Sequence, residues 1–295
     1  MKFDRHQRRK IFSHGMTVLS GLAIVVILIP LIAILYEVIV QGLPAFSVGF
    51  FTKQFPVPCG SSNPSACPQG GIAPAIQGTF ILIGMSSLIA LPIGIGAAMF
   101  AVEYGGQSVW ARAISTMADV LSGLPSILAG VFAYSLFLQY NRTLTFSTFS
   151  EAIALAVLMV PVVTRATEEA LRTVPQSVRE AALALGIPRW KSALRITLIT
   201  ALPGVVTGAL LSIARAAGES APILLTSLFS LHGFTGFNYS VTPMPLWIYY
   251  AATSPYHNWQ VLAWGTALFL VLIILSISVV SRIVLNRLTR RAAGG

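Results

Sequence analysis

Arg215 and Glu219 stand four residues apart in Ala214-Arg215-Ala216-Ala217-Gly218-Glu219-Ser220-Ala221-Pro222, within an otherwise apolar run. An arginine near the middle of a membrane span costs about 2.5–3.5 kcal/mol on insertion scales, so a cation there needs a reason. Guanidinium chemistry offers one: a planar fork of donors that grips two oxygens of an oxyanion and stays charged when desolvated. The spacing puts Glu219 on the same helical face. Its carboxylate would hold the arginine in place, or keep an anion from binding too tightly to leave. The same two residues also fit an internal ion pair that packs a bundle. Residue types alone leave both readings standing.

The elements that must position this pair are membrane helices. The chain has 295 residues, 55% of them hydrophobic and 9% charged, with a mean hydropathy of +0.79. Soluble chains carry nearer about a quarter charged residues. The fold class is therefore all-α integral membrane, with no soluble domain long enough to stand alone. A net charge of +10 raises nucleic acid as a partner. The positive charge, however, falls in blocks between apolar spans, which is a topology pattern.

A span needs about 20 mostly apolar residues. Six segments qualify: about Met16–Val40, Pro74–Val102, Ala111–Leu138, Phe149–Thr164, Ile196–Phe229 and Trp259–Leu285. The first is long enough to be a retained helix rather than a signal peptide. One set of ends carries Lys2, Arg5, Arg8, Arg9, Lys10, Arg112, Arg165, Arg172, Arg179, Arg189, Lys191, Arg195, Arg282, Arg287, Arg290 and Arg291, sixteen of the nineteen basic residues. The other has Lys53 and Arg142. Positive charge marks the cytoplasmic side, so both termini are expected there.

Cys59 and Cys67 then share an extracytoplasmic loop, about Gln41–Gly71. No metal-ligand spacing surrounds them, so a disulfide is expected, with two free thiols as the alternative. Trp247, Tyr249, Tyr250, Tyr256 and Trp259 are expected at the outer membrane interface. In the second span Gly78, Gly84, Gly94 and Gly96 offer small surfaces for helix packing, and Pro92 removes a backbone donor. Gly123 and Pro125 interrupt the third span.

A linker of about Arg165–Arg195 joins the fourth and fifth spans on the basic side. Pro175 suits a helix start, and Gly186 suits the left-handed position after a helix end. Between them Val178, Ala181, Ala182 and Leu185 recur at helical spacing. Glu180-Ala181-Ala182, three residues and then Gly186 resembles the EAA motif of ABC importer permeases. In that family this segment is the coupling helix that docks on the ATPase. Ile196 and Leu198 also match the motif, but Ile199 stands where proline is usual. With the stretches Gly70–Tyr104 and Leu121–Ser126 and the run Ala214–Pro222, most of the chain resembles the permeases of phosphate importers. Ser220-Ala221-Pro222 is closer to the PstA type than to the PstC type.

The resemblance implies a type I (MetI-like) permease fold. Residues 1–72 would form a tail, first helix and outer loop, 73–285 the permease core, and 286–295 a cytoplasmic tail. It implies a substrate pathway with Arg215, Glu219 and Ser220, and ATPase coupling through Glu180, Ala181, Ala182, Leu185 and Gly186. A second, PstC-type permease, two PstB-type ATPase subunits and a PstS-type phosphate-binding protein would complete the assembly. The sequence has no G-x-x-x-x-G-K-[ST], so no P-loop nucleotide site of its own is expected. ATP and Mg would sit on the partner ATPase, and no cofactor, metal or catalytic residue is assigned here. Import of sulfate, molybdate or phosphonate is the nearest alternative, and a passive anion channel a further one. His6, His14, His232 and His257 are scattered, which argues against an enzyme acting on phosphate esters.

Overall fold

The computed structural model describes residues 5–60, 67, 70–106 and 108–293, with the backbone alone at 5–8, 11 and 284–293. Lys2 lies outside the described residues. Apolar length sets the architecture: among the described residues five helices are long and apolar enough to cross a membrane, and a sixth span results if one bent pair is taken as a single crossing.

Helix α1 (Arg5–Gly42) contains the expected first span and runs along the rim. Gly42 lets it meet α12 (His257–Ala293), because a Cβ there would lie 2.8 Å from Leu268 Cβ. A short α2 (Val48–Thr52) follows, with Ser47 accepting from the Phe50 N–H as its cap. Helix α3 (Ala73–Met99) continues through a π turn at Phe100–Tyr104, so the second span ends close to where it was expected.

The third span is not one straight helix. Helix α4 (Val109–Ser122) and helix α5 (Ser126–Tyr140) meet at 107°. Pro125 supplies no N–H and drives Leu124 out of the helical region, so the break falls at Gly123-Leu124-Pro125. Helix α6 (Thr148–Arg172) outlasts the expected fourth span by eight residues, since 172 − 164 = 8. Its extra turns carry charges that are paired or exposed, so helical hydrogen bonding persists beyond the apolar boundary.

After α6 come α7 (Gln176–Ala184) and α8 (Arg189–Ser192). A π turn at Ala193–Thr197 then leads into α9 (Leu198–Ala217). The fifth span therefore starts near Arg189, not Ile196, and the linker shrinks to residues 173–188. Its far end is irregular as expected: after a break at Gly218–Ser220 the short α10 (Ala221–Thr226) begins. Helix α11 (Met244–Ala252) precedes α12, which runs through residues 286–293 where a tail was expected.

Helix α6 is the centre of the bundle and packs along α3, α9, α4, α5 and α10. Small residues allow the approach. A Cβ on Gly94 would lie 2.8 Å from Val163, and one on Gly204 would lie 2.7 Å from Ala170. Gly78 likewise lies close to the Thr242 backbone. Gly84 and Gly96 face open space instead, so the packing expected of them is not made within this chain.

The end opposite the basic linker is closed by aromatic packing. Phe55 stacks on Trp247 at 4.0 Å between ring centroids, and Trp259 lies 5.0 Å from Trp247. Trp247 is wholly buried, so it belongs to this core rather than to a membrane interface, and Trp259 is nearly so. Tyr249 remains about half exposed. Trp259 Nε1–H donates to the Pro56 carbonyl (3.1 Å), tying the last helix to the loop in which Cys59 and Cys67 form a disulfide.

Candidate functional site

Arg215 lies in the last turn of α9, where the unpaired carbonyls of a helix end favour a cation. Its Nε is 3.6 Å from Glu219 Oε1, a loose ion pair. The arginine side chain is 54% exposed in the isolated chain and the glutamate 21%. Both line a narrow cleft with Leu158, Met159, Ser212 and Ala216. Glu219 also reaches a second cleft with Thr79, Leu82 and Ile223. Ser220 is half-buried at the start of α10 and makes no capping bond with its side chain. Arg215 and Glu219 share the first cleft, and Ser220 is the next residue along the chain. A single loose contact leaves most of the guanidinium fork available.

Arg165, in the charged turns that extend α6 past its apolar stretch, is bound quite differently. Arg165 Nε donates to Asp119 Oδ1 (2.7 Å), Nη1 to Glu168 Oε2 (2.7 Å), and Nη2 to the Ser115 carbonyl (2.6 Å) and to Asp119 Oδ2. Glu168 is 1% exposed and also accepts from Ser115 Oγ–H at 2.7 Å. This network binds α4 to α6. Glu151, at the other end of α6, is wholly buried: Oε1 accepts from Ser240 Oγ–H at 2.6 Å and from the Val241 N–H at 3.3 Å. Glu151 does not feature in a reading by local spacing, because its partners lie 89 and 90 residues away, and Glu168, though close in sequence to Arg165, meets Ser115 across 53 residues. The available signal was a lone acid in an apolar run, Ser150-Glu151-Ala152-Ile153.

At the basic end, α7 is held by one arginine. Arg179 Nη2 donates to the Leu171 carbonyl (2.7 Å), and its Nε lies 3.1 Å from Glu103 Oε1. The helix is thereby fastened to the last turn of α6 and to the π turn after α3. Of its four regularly spaced apolar residues only Ala182 is buried; Val178 is half-buried and Ala181 exposed. Leu185 lies beyond the helix end and is 81% exposed. Leu183 and Trp190 are exposed too. Gly186 has φ +77°, the left-handed value expected for it. The element thus presents apolar side chains and the Glu180 carboxylate outward instead of stapling them to its own bundle.

The region that holds the short α7 helix and the broken span beside Arg215 is matched by a known family. Its profile, the inner-membrane component of binding-protein-dependent transport systems, matches residues 90–294. This chain belongs to that family.

The permease is thus a multi-pass inner-membrane subunit, and its family works with a binding protein and an ATPase. It is 36% identical over 286 residues to the phosphate transport system permease protein PstA of Haemophilus influenzae, covering 96% of this chain and 98% of the relative. It is 38% identical over 292 residues to PstA 1 of Mycobacterium tuberculosis (strain CDC 1551 / Oshkosh), covering 96% and 92%. Among solved structures, a chain of a bacterial alginate ABC transporter in complex with a periplasmic protein aligns at TM-score 0.66 and 15% identity, covering 97% of this chain and 96% of that one. A chain of the inward-facing MetNI methionine ABC transporter aligns at 0.58 and 19%, covering 73% and 96%. These likenesses give the ABC importer permease fold. The α7 segment and the α9–α10 break both lie inside the matched region, and the permease core is therefore where function must be sought.

Proposed function

We propose that this permease carries inorganic phosphate into the cell, driven by ATP hydrolysed on a partner ATPase. The carrying observation is Arg215: an arginine at a helix break whose one ion-pair contact among the described residues is Glu219 at 3.6 Å. A fork left open in this way is suited to two oxygens of a tetrahedral oxyanion. Glu219 holds the guanidinium in place and limits its grip, because conduction requires release. Ser220 adds a hydroxyl at the same break. The names of the full-length relatives favour phosphate over sulfate, molybdate or phosphonate.

In this reading Glu180, Ala181, Ala182, Leu185 and Gly186 form the docking surface for the ATPase, whose own site holds ATP and Mg. The assembly is this permease, a PstC-type permease, two PstB-type subunits and a PstS-type binding protein. The sixteen basic residues at one end put both termini in the cytoplasm and the disulfide loop outside. The test is uptake of radiolabelled phosphate by the complex in proteoliposomes, with ATP inside and binding protein outside. Uptake that depends on both supports the proposal. Phosphate movement without ATPase makes the protein a channel, and preference for sulfate over phosphate reassigns the substrate.

A further inference from the structure

Glu151 is the one wholly buried carboxylate among the described residues that no arginine or lysine neutralises. It sits in the first turn of α6, directly beneath the segment that leads from α10 to α11. That segment folds back so that residues 227–230 lie beside residues 239–242. Ser240 donates its only hydroxyl proton to Glu151, which leaves its oxygen to accept from the Leu228 N–H at 3.0 Å. Ser227 Oγ lies 2.6 Å from Ser240 Oγ and 3.1 Å from the Val241 carbonyl. One turn earlier, Thr148 donates through N–H and hydroxyl to the Tyr239 carbonyl, at 2.9 and 2.7 Å.

We propose that Glu151 is a positioning residue of the outer gate, through which α6 transmits the state of the docking element to the break beside Arg215. The route is continuous in covalent and hydrogen-bonded contacts. At the inner end, Arg179 fastens α7 to the Leu171 carbonyl in the last turn of α6. At the outer end, Glu151 reaches Ser227 by way of Ser240. Ser227 is the residue that follows α10, and α10 begins two residues after Glu219. On its other side α10 rests on α5, where Gly130 lets the Pro222 backbone approach closely. A helix held at both ends acts as a lever only if its outer contact is specific. Glu151 supplies that specificity, since one oxygen organises two chain segments at once.

The second oxygen points the same way. Glu151 Oε2 is buried and has no hydrogen-bond partner among the described residues. Buried polar atoms in native proteins are nearly always satisfied, and an exception calls for a reason beyond stability. An apolar side chain, or a serine matched to one acceptor, would hold a static loop with no orphaned oxygen. A contact that must be remade as the outer end opens has a use for the spare acceptor.

The inference rests on the transport reading, and the experiment separates the two. Complexes carrying Glu151→Ala, Glu151→Gln or Ser240→Ala are reconstituted with ATPase, partner permease and phosphate-loaded binding protein. Two quantities are read per assembled complex: phosphate uptake, and the ratio of ATP hydrolysis with and without loaded binding protein. Glu151→Ala is expected to lower both about tenfold or more, the scale of leaving the buried Ser240 hydroxyl and Val241 N–H without their acceptor. Glu151→Gln keeps an acceptor toward Ser240 and Val241 and should retain the larger part of both. Ser240→Ala, which leaves α6 untouched, should fall between them and decides the matter if Glu151→Ala does not assemble. Unchanged hydrolysis ratios in Glu151→Ala and Ser240→Ala overturn the inference, as does a loss confined to the amount of assembled complex. A wild-type complex that moves no phosphate overturns the phosphate reading instead, while the hydrolysis ratio still reports on Glu151.

Discussion

Arg165 and Arg215 sit on the neighbouring helices α6 and α9, and they are held in opposite ways. Arg165 is saturated: Asp119, Glu168 and the Ser115 carbonyl take up its donors, and Glu168 beside it is almost fully buried. Arg215 is open, with one loose contact and more than half of its side chain exposed. In the proposed reading the difference separates structure from transport. An arginine whose fork is filled by its own chain has nothing left for a substrate, whereas one left half-empty at a helix break carries a latent site. Counting charges on the long helices would treat the two alike.

The largest effect should come from breaking the saturated arginine. Arg165→Gln leaves Glu168 buried without its principal counter-charge, and removing one partner of a buried pair costs about 3–5 kcal/mol. The expected outcome is loss of the permease from membranes, or a marked drop in the thermal stability of the purified complex. Uptake per surviving complex should fall far less than abundance. If Arg165→Gln accumulates and melts like wild type while failing to transport, the contrast between the two arginines collapses.

Arg215 should show the reverse pattern. Arg215→Gln should assemble at wild-type abundance, because the Glu219 contact it loses is long and half-solvated. Uptake per complex should fall about tenfold or more, since hydrogen bonds to charged groups contribute about 1.5–3 kcal/mol each. Arg215→Lys keeps a point charge without the planar fork and should lie between. Glu219→Gln should harm uptake least. The competing ion-pair reading predicts lost abundance in each single mutant and partial rescue when both charges are removed. Normal uptake by Arg215→Gln would end the substrate-site proposal.

How much of this was legible in the sequence follows from distance along the chain. Arg215 and Glu219 are four residues apart, so their pairing could be read from helical spacing, as could the left-handed turn at Gly186. The six spans followed from apolar length. The 107° break did not, although Gly123 and Pro125 were visible, because a hydropathy count treats Ala111–Leu138 as one continuous stretch. The linker was placed too early for a related reason: charges at Arg165, Glu168 and Arg172 read as a loop until their partners are seen to sustain the helix. Glu151 was the least legible, since Ser240 is 89 residues away and only the fold brings them together. Trp247 erred in the other direction, its aromatic character suggesting an interface where packing against Phe55 makes a core.

A smaller effect is expected at the docking element. Gly186 has φ +77°, and a Cβ there would meet nothing within 4 Å, so a substitution acts through the backbone alone. Left-handed geometry costs an ordinary residue about 1–2 kcal/mol. Gly186→Val should therefore leave the bundle folded but shift the turn after α7, weakening co-purification of the ATPase and transport-linked hydrolysis. Gly186→Asn, which tolerates this region better, should retain more of both. Wild-type co-purification and hydrolysis in the valine variant would remove α7 from the coupling role.

The least effect on transport should come from the disulfide, which in this reading joins Arg165 as a structural element. Cys59 and Cys67 are eight residues apart, so the bond closes a short loop beside the aromatic core. In the chain-entropy view such a loop contributes about 2–3 kcal/mol at most, through the unfolded state. Trp259 Nε1 still holds Pro56 when the bond is gone, and Phe55 still stacks on Trp247. Replacing both cysteines by serine should therefore lower the melting temperature of the purified complex by a few degrees and leave phosphate uptake per complex unchanged. Mass spectrometry of unreduced peptides establishes whether the wild-type bond is present before the comparison is made. A double-serine variant that is stable yet defective in uptake would place the loop among the moving parts. The division between saturated and open elements would then have to be redrawn at the outer end of the molecule.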